Sequence, residues 1–245
     1  MILLLLLIMI PAARVLAQEA VASNRPSTFQ LEGFRFEYQG WNNCGPATLT
    51  NALTFFGYSD NQNRAAQFLK PNGEDKNVTP QEMIRFVNSQ VPELPVFALT
   101  RMGGTIDLLT TLLANRFPVI IEQGYDPPPH DLGWMGHYLL LIGYDDAQRH
   151  FITHDSYEGP NKIYTYDHIN EYWRHFNRTY IVLYESGREP ELLDLLGSDA
   201  DVTQNALNAL EMAREEATRS PQDPFIWFNI GTSYVALADV YEQQA

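Results

Sequence analysis

Helical periodicity comes first along this chain and apolar, strand-like runs come later, and that order limits the fold more than any other feature. From Ala47 the apolar positions Leu49, Leu53 and Phe56 recur at helical spacing until Gly57 stops the helix. Thr79-Pro80-Gln81-Glu82 is a capping box with proline at the first helical position, opening a helix to about Gln90. Residues 105–115 read as a second amphipathic helix. Strands are expected at 34–38, 95–99, 118–122, 137–144, 151–155 and 179–184. With most strands behind the helices instead of alternating with them, the fold class is α+β, not a doubly wound sheet.

The chain has 245 residues, 45% of them hydrophobic and 12% aromatic, enough apolar material for a buried core. A formal net charge of -14 opposes general attraction to nucleic acid or anionic lipid, so no nucleic-acid partner is expected. The apolar opening, followed by Pro11, Arg14 and the small-residue ending Val15-Leu16-Ala17, reads as a secretory signal peptide over 1–17. That predicts a secreted, periplasmic or cell-surface protein. No other stretch is long and apolar enough for a span, so no stable membrane span is expected after cleavage.

Cys44 is the one cysteine, which excludes an intramolecular disulfide and a Cys-rich zinc site. A lone cysteine is most simply a small buried hydrophobe. Here, however, it follows the turn Asn42-Asn43 and opens a helix, where free N–H groups and the helix dipole favour a thiolate. A thiolate nucleophile needs an imidazole to carry the proton and a third group to orient that ring. Of the six histidines, His137 stands at the mouth of the apolar run 137–142. The turn Asp145-Asp146-Ala147-Gln148 would fold the next strand back so that its end, Asp155, meets His137. Alone, His137 could be a satisfied core histidine and Asp155 a turn residue; their convergence with Cys44 points to nucleophilic catalysis. Gln39, shortly before Cys44, could donate to an oxyanion alongside the Cys44 amide. His150 and His154 share a strand face, but no further ligands accompany them, and neither metal nor cofactor is expected. Tyr125, Asp126, the prolines 127–129 and His130 form a stiff loop before His137, a rigid surface feature or a substrate rim.

The block Gln39-Gly40-Trp41-Asn42-Asn43-Cys44-Gly45-Pro46-Ala47-Thr48-Leu49, then Gly136-His137-Tyr138, then Asp155 before a Tyr/Gly/Pro turn, resembles the bacteriocin-processing, double-glycine-leader cysteine peptidases of peptidase family thirty-nine. Residues 166–173 also resemble the helix that follows the acid in soluble relatives. The resemblance implies a papain-like fold with N-terminal helices on an antiparallel sheet. It implies Cys44 as nucleophile, His137 as general base and acid, Asp155 as orienting carboxylate and Gln39 as oxyanion donor. Gln39 lies five positions before Cys44, where the family's glutamine usually lies six before, so a shortened loop must be absorbed. The membrane and nucleotide-binding domains of transporter-fused relatives have no counterpart in this sequence.

From Glu189 onward the chain carries eleven acidic residues against Arg214 and Arg219, which places a domain boundary near 186–190. A solvated acidic helical face accounts for that charge. Trp227, Ile230, Gly231 and Tyr234 match the start of a tetratricopeptide repeat, and a helix over about 202–219 precedes them. The organisation expected is therefore a signal peptide over 1–17, a peptidase domain over 28–186 and incomplete repeat helices over 199–245. Such helices would dock a protein partner or cap the fold. The functional expectation is an exported thiol hydrolase or peptidase acting on a peptide or protein, with acyl transfer open to the same thioester. The alternative is a non-catalytic peptide-binding or assembly module.

Overall fold

The structure is a computed structural model that describes residues 25–72, 77–125 and 133–244. The segment read as a signal peptide and the prolines of the loop before His137 lie outside these residues. Helices α1 (Cys44–Thr54), α2 (Gln62–Leu69) and α3 (Pro80–Gln90) come first, then strand and helix alternate once through β2 (Val96–Arg101) and α4 (Ile106–Ala114). The strands β3 (Val119–Tyr125), β4 (Met135–Asp145), β5 (His150–Asp155) and β6 (Gly159–Thr165) follow without interruption. After α5 (Tyr166–Trp173), β7 (Tyr180–Glu185) returns to the sheet. With the short β1 (Thr28–Gln30) paired to β4, the strands form one seven-stranded sheet ordered β2-β7-β3-β4-β5-β6. Every pairing is antiparallel. The α+β expectation holds.

The capping box at α3 forms as read, with Thr79 accepting from the Glu82 amide and Glu82 accepting from the Thr79 amide at 2.8 Å. The sheet is buried on both faces, which explains why β4 reads as a continuous apolar run instead of an alternation. Val119, Ile121, Leu139 and Leu141 join one core under α4 and α5. Ile120, Leu140 and Ile142 join another under α1 and α3. Helix α1 lies against β4, and this packing brings the first residue of the helix to the start of the strand.

The strand expected at 34–38 does not form. Two α1 side chains occupy the backbone groups that a ladder would use. Thr54 Oγ1 accepts from the Arg35 amide at 2.9 Å and donates to the Arg35 carbonyl at 3.2 Å. Asn51 does the same for Glu37, accepting from its amide at 2.9 Å and donating to its carbonyl at 3.1 Å. The alternation read in the sequence reflects a segment laid along a helix with its polar backbone satisfied by side chains.

Beyond β7, α6 (Glu189–Leu196) buries Leu192 and Leu196 in the core that α4 and α5 cover. Helices α7 (Val202–Arg219) and α8 (Pro224–Gln244) form a hairpin around Ala206, Leu210 and Leu237. Its attachment to the sheet domain is mostly polar. Asn205 exchanges two hydrogen bonds with the backbone of Met102. The Asn177 amide donates to Asn229 Oδ1 at 3.0 Å, and Asn229 donates to the Arg174 carbonyl at 2.8 Å.

Candidate active site

Cys44 is the first residue of α1, and the preceding Asn43 makes no side-chain capping bond. No acidic residue stands in the first turn, so the positive end of the helix is left for the thiol. His137 sits near the start of β4 and is 3% exposed. Asp155 is the last residue of β5 and is fully buried. The β4–β5 hairpin brings the two together, with His137 Nε2 2.9 Å from Asp155 Oδ1. Cys44 and His137 lie close enough to shift each other's ionisation.

Asp155 is the most heavily bonded group of the site. Its Oδ1 also accepts from the amides of Tyr157 at 2.9 Å and Glu158 at 3.1 Å, and its Oδ2 accepts from Tyr164 Oη at 2.7 Å. Burial pushes this carboxyl up, but the bond and charge of His137 and the Tyr164 hydroxyl outweigh it and hold the group below its ordinary range. For His137, burial favours the neutral ring. The hydrogen bonds and charges of Asp155 and Cys44 prevail and raise its pKa. For Cys44, burial raises the pKa, while His137 and the amides of Tyr138 and Gly45 lower it, with a net lowering. Each of the three shifts favours the charged form of its group.

Gln39 is bonded to none of the other three. Its backbone amide donates to the Ser156 carbonyl at 2.8 Å, while its side-chain Oε1 accepts from Ser156 Oγ at 2.9 Å. With Oε1 held in this way, the donor end Nε2 has no protein partner among the described residues. Gln39 lines a surface groove of ≈ 510 Å³ with Tyr38, Gly40, Trp41, Asn43 and Gln62.

No group of three or more His, Cys, Asp or Glu side chains that could hold a metal ion occurs among the described residues. His154, read as one of a possible pair, lies edge-on to Phe34 and Phe36 and accepts from the Asn161 amide at 3.3 Å.

The profile of the Peptidase_C39 like family matches residues 23–185. This chain belongs to that family. It is by that membership a cysteine-type peptidase, a hydrolase, and its antiparallel α+β architecture is the papain-like one of C39 peptidases. No curated protein matches it. Among solved structures it is similar to a C39-like peptidase from Bacillus anthracis, at 16% identity over 64% of this chain and 97% of that one, with a TM-score of 0.49. It is similar also to xylellain, a cysteine protease from Xylella fastidiosa, at 16% identity over 68% and 88% of the chains, TM-score 0.49. The peptidase domain of the Streptococcus bi-functional ABC transporter ComA gives 13% identity over 62% and 98%, TM-score 0.48.

Several residues around the C39 site escaped the reading of the sequence. Ser156 stands between Asp155 and Gln39 and also lies 3.3 Å from Thr48 Oγ1, which donates to the Tyr138 carbonyl at 3.2 Å. Tyr164 comes from β6, a strand whose polar alternation gave no apolar signal. Tyr125, already placed by the sequence in the loop before His137, packs its ring 4.9 Å from that of His137 and donates to Glu158 at 2.6 Å. Gln123, directly across the ladder from His137, is fully buried with neither amide atom hydrogen-bonded among the described residues. The one available signal was chemical: Ser156 adjoins a candidate carboxylate.

Proposed function

We propose that this chain hydrolyses a peptide or amide bond through an acyl-enzyme on Cys44. The observation that carries the reading is the buried bond from His137 to Asp155 beside a thiol at a helix start. Cys44 is the nucleophile. Its thiolate attacks the carbonyl carbon, and the charge that develops on oxygen is met by the Cys44 amide and Gln39 Nε2. His137, protonated by the thiol, returns the proton to the leaving amine, and the C–N bond breaks as the thioester forms. Asp155 keeps the ring oriented and stabilises its charge. Water, activated by the now neutral His137, then cleaves the thioester; an amine in its place would make the reaction an acyl transfer.

The substrate proposed is a peptide or protein. One structurally similar double-glycine-motif protease was solved in complex with a leader peptide, a fact about that protein. Export under the leader at 1–17 belongs to the same reading, and N-terminal sequencing of the mature protein tests it by looking for a start at Gln18. Helices α7 and α8 are proposed as the opening of a tetratricopeptide array that recruits a partner, on the spacing of Trp227, Ile230, Gly231 and Tyr234.

The test of the catalytic reading is the pH dependence of iodoacetamide labelling of Cys44. An ordinary thiol follows a pKa near ~8.5, whereas a His-paired thiolate stays reactive well below neutrality. Labelling is expected to persist at mildly acid pH and to revert to the ordinary profile in His137→Ala. A parent profile already that of an ordinary thiol would leave a binding module as the better account.

A further inference from the structure

The loop 38–43 carries the Gln39 donor and delivers the chain to Cys44, yet little packing holds it. Trp41 is 90% exposed and Tyr38 61% exposed, so hydrogen bonds decide the loop's shape. One turn bond closes it, from the Asn43 amide to the Gly40 carbonyl at 3.1 Å, with Asn42 at φ 51 in the left-handed region. Ser156 holds Gln39 as described above and Lys70 Nζ donates to the Asn42 carbonyl at 2.7 Å, but three further bonds across the loop converge on one side chain, that of Gln62. Gln62 Nε2 donates to the Tyr38 carbonyl at 2.7 Å. Its Oε1 accepts from the Gly40 amide at 2.8 Å and from Asn43 Nδ2 at 2.6 Å. A single amide thus grips the residues on both sides of Gln39 and the residue just before Cys44.

The grip is itself anchored. Gln62 is the first residue of α2; its backbone amide donates to Glu37 Oε1 at 2.7 Å, and Asn61 caps the helix by accepting from the Asn63 amide at 2.9 Å. We propose that Gln62 is a positioning residue, whose side-chain amide sets the separation between the Gln39 donor and the Cys44 thiol across this short loop. The inference rests on the assignment of nucleophile and oxyanion donor given above. It follows that Gln62 serves steps that build charge on a carbonyl oxygen and is indifferent to steps that need only the thiolate.

Two reagents separate these demands without knowledge of the substrate. Iodoacetamide is displaced at carbon by the thiolate and makes no oxyanion. p-Nitrophenyl acetate is attacked at its carbonyl: a C–S bond forms, the C–O bond breaks, p-nitrophenolate leaves with the electron pair, and acetyl remains on Cys44. The burst of p-nitrophenolate, with Cys44→Ala as background, reads acylation in the full chain. Removing an oxyanion donor outright costs about 10²–10³ in rate, so displacing one in Gln62→Ala is expected to slow the burst about tenfold. Iodoacetamide labelling should stay within about twofold of the parent, because the imidazole still supports the thiolate. The double variant with Gln39→Ala should acylate no more slowly than Gln39→Ala alone, since Gln62 acts through that residue. A burst unchanged in Gln62→Ala overturns the proposal, and so does an equal fall with both reagents, which would mark a merely structural role. If the parent itself gives no burst and an ordinary thiol profile, the assignment of Cys44 as nucleophile fails first and takes this inference with it.

Discussion

His137 lies between two acids, and the site's response to pH follows from that. Its folded pKa is raised above the ordinary 6.5, so its contribution to stability is full below that value and is lost as pH rises through the folded pKa. Asp155 behaves in the opposite sense: its contribution is present above 3.8 and is lost as pH falls through its depressed pKa. Glu122, on β3 opposite Tyr138, breaks this pattern of mutual support. Burial pushes its carboxyl up to about 8, and the neighbouring Tyr138 offsets that only in part. A raised carboxyl costs stability once the unfolded chain ionises, so the cost grows from about 4.5 to about 8. Glu122→Gln removes that term, and its stability relative to the parent is expected to rise through this window in urea unfolding followed by fluorescence. A difference independent of pH would show that Glu122 does not titrate in this way. This group was not legible in the sequence, because Glu122 ends an apolar run where a polar residue normally marks the surface.

Among the elements, the helix starts were legible and the side-chain braces were not. The capping box of α3 and the helical spacing behind Cys44 are local signals, spelled by residues within one or two turns of each other. The segment 34–38 was misread because Thr54 and Asn51, which satisfy its backbone, lie on a helix some fifteen residues away. The docking of α8 shows the same dependence on distant polar groups. Asn177, at φ 52 and buried, donates from Nδ2 to Ser233 Oγ at 2.9 Å and to Thr232 Oγ1 at 3.1 Å. Asn177→Ala leaves buried acceptors on α8 without that donor and takes away a side chain suited to the left-handed backbone. It is expected to cost about 1–3 kcal/mol in denaturant unfolding. A loss below about 0.5 kcal/mol would show that water replaces the bonds.

At the scale of the whole molecule, the hairpin α7–α8 is joined to the sheet domain by buried asparagines, the Arg178–Glu216 pair at 2.7 Å and an Arg174–Asp223 pair. Phe225 stacks on His175 with centroids 3.7 Å apart and meets Trp134, three residues before His137. Because these polar bonds are satisfied only while both parts are folded, tryptophan fluorescence and circular dichroism should report one coincident urea transition. Two separated transitions would show that the hairpin is an independent module. Such coupling crosses the boundary that composition placed near 186–190, and composition has no means of registering it. The sequence by itself determined the fold class, the helix that begins at Cys44 and the β4–β5 hairpin, because periodicity, caps and turns act between near neighbours. Only the tertiary structure decided that Ser156 bonds Gln39, that Tyr164 bonds the Asp155 carboxylate and that Gln62 grips the loop before Cys44. Those contacts join residues distant in the chain, and a polar side chain carries no mark in sequence of which remote partner the packing will bring to it.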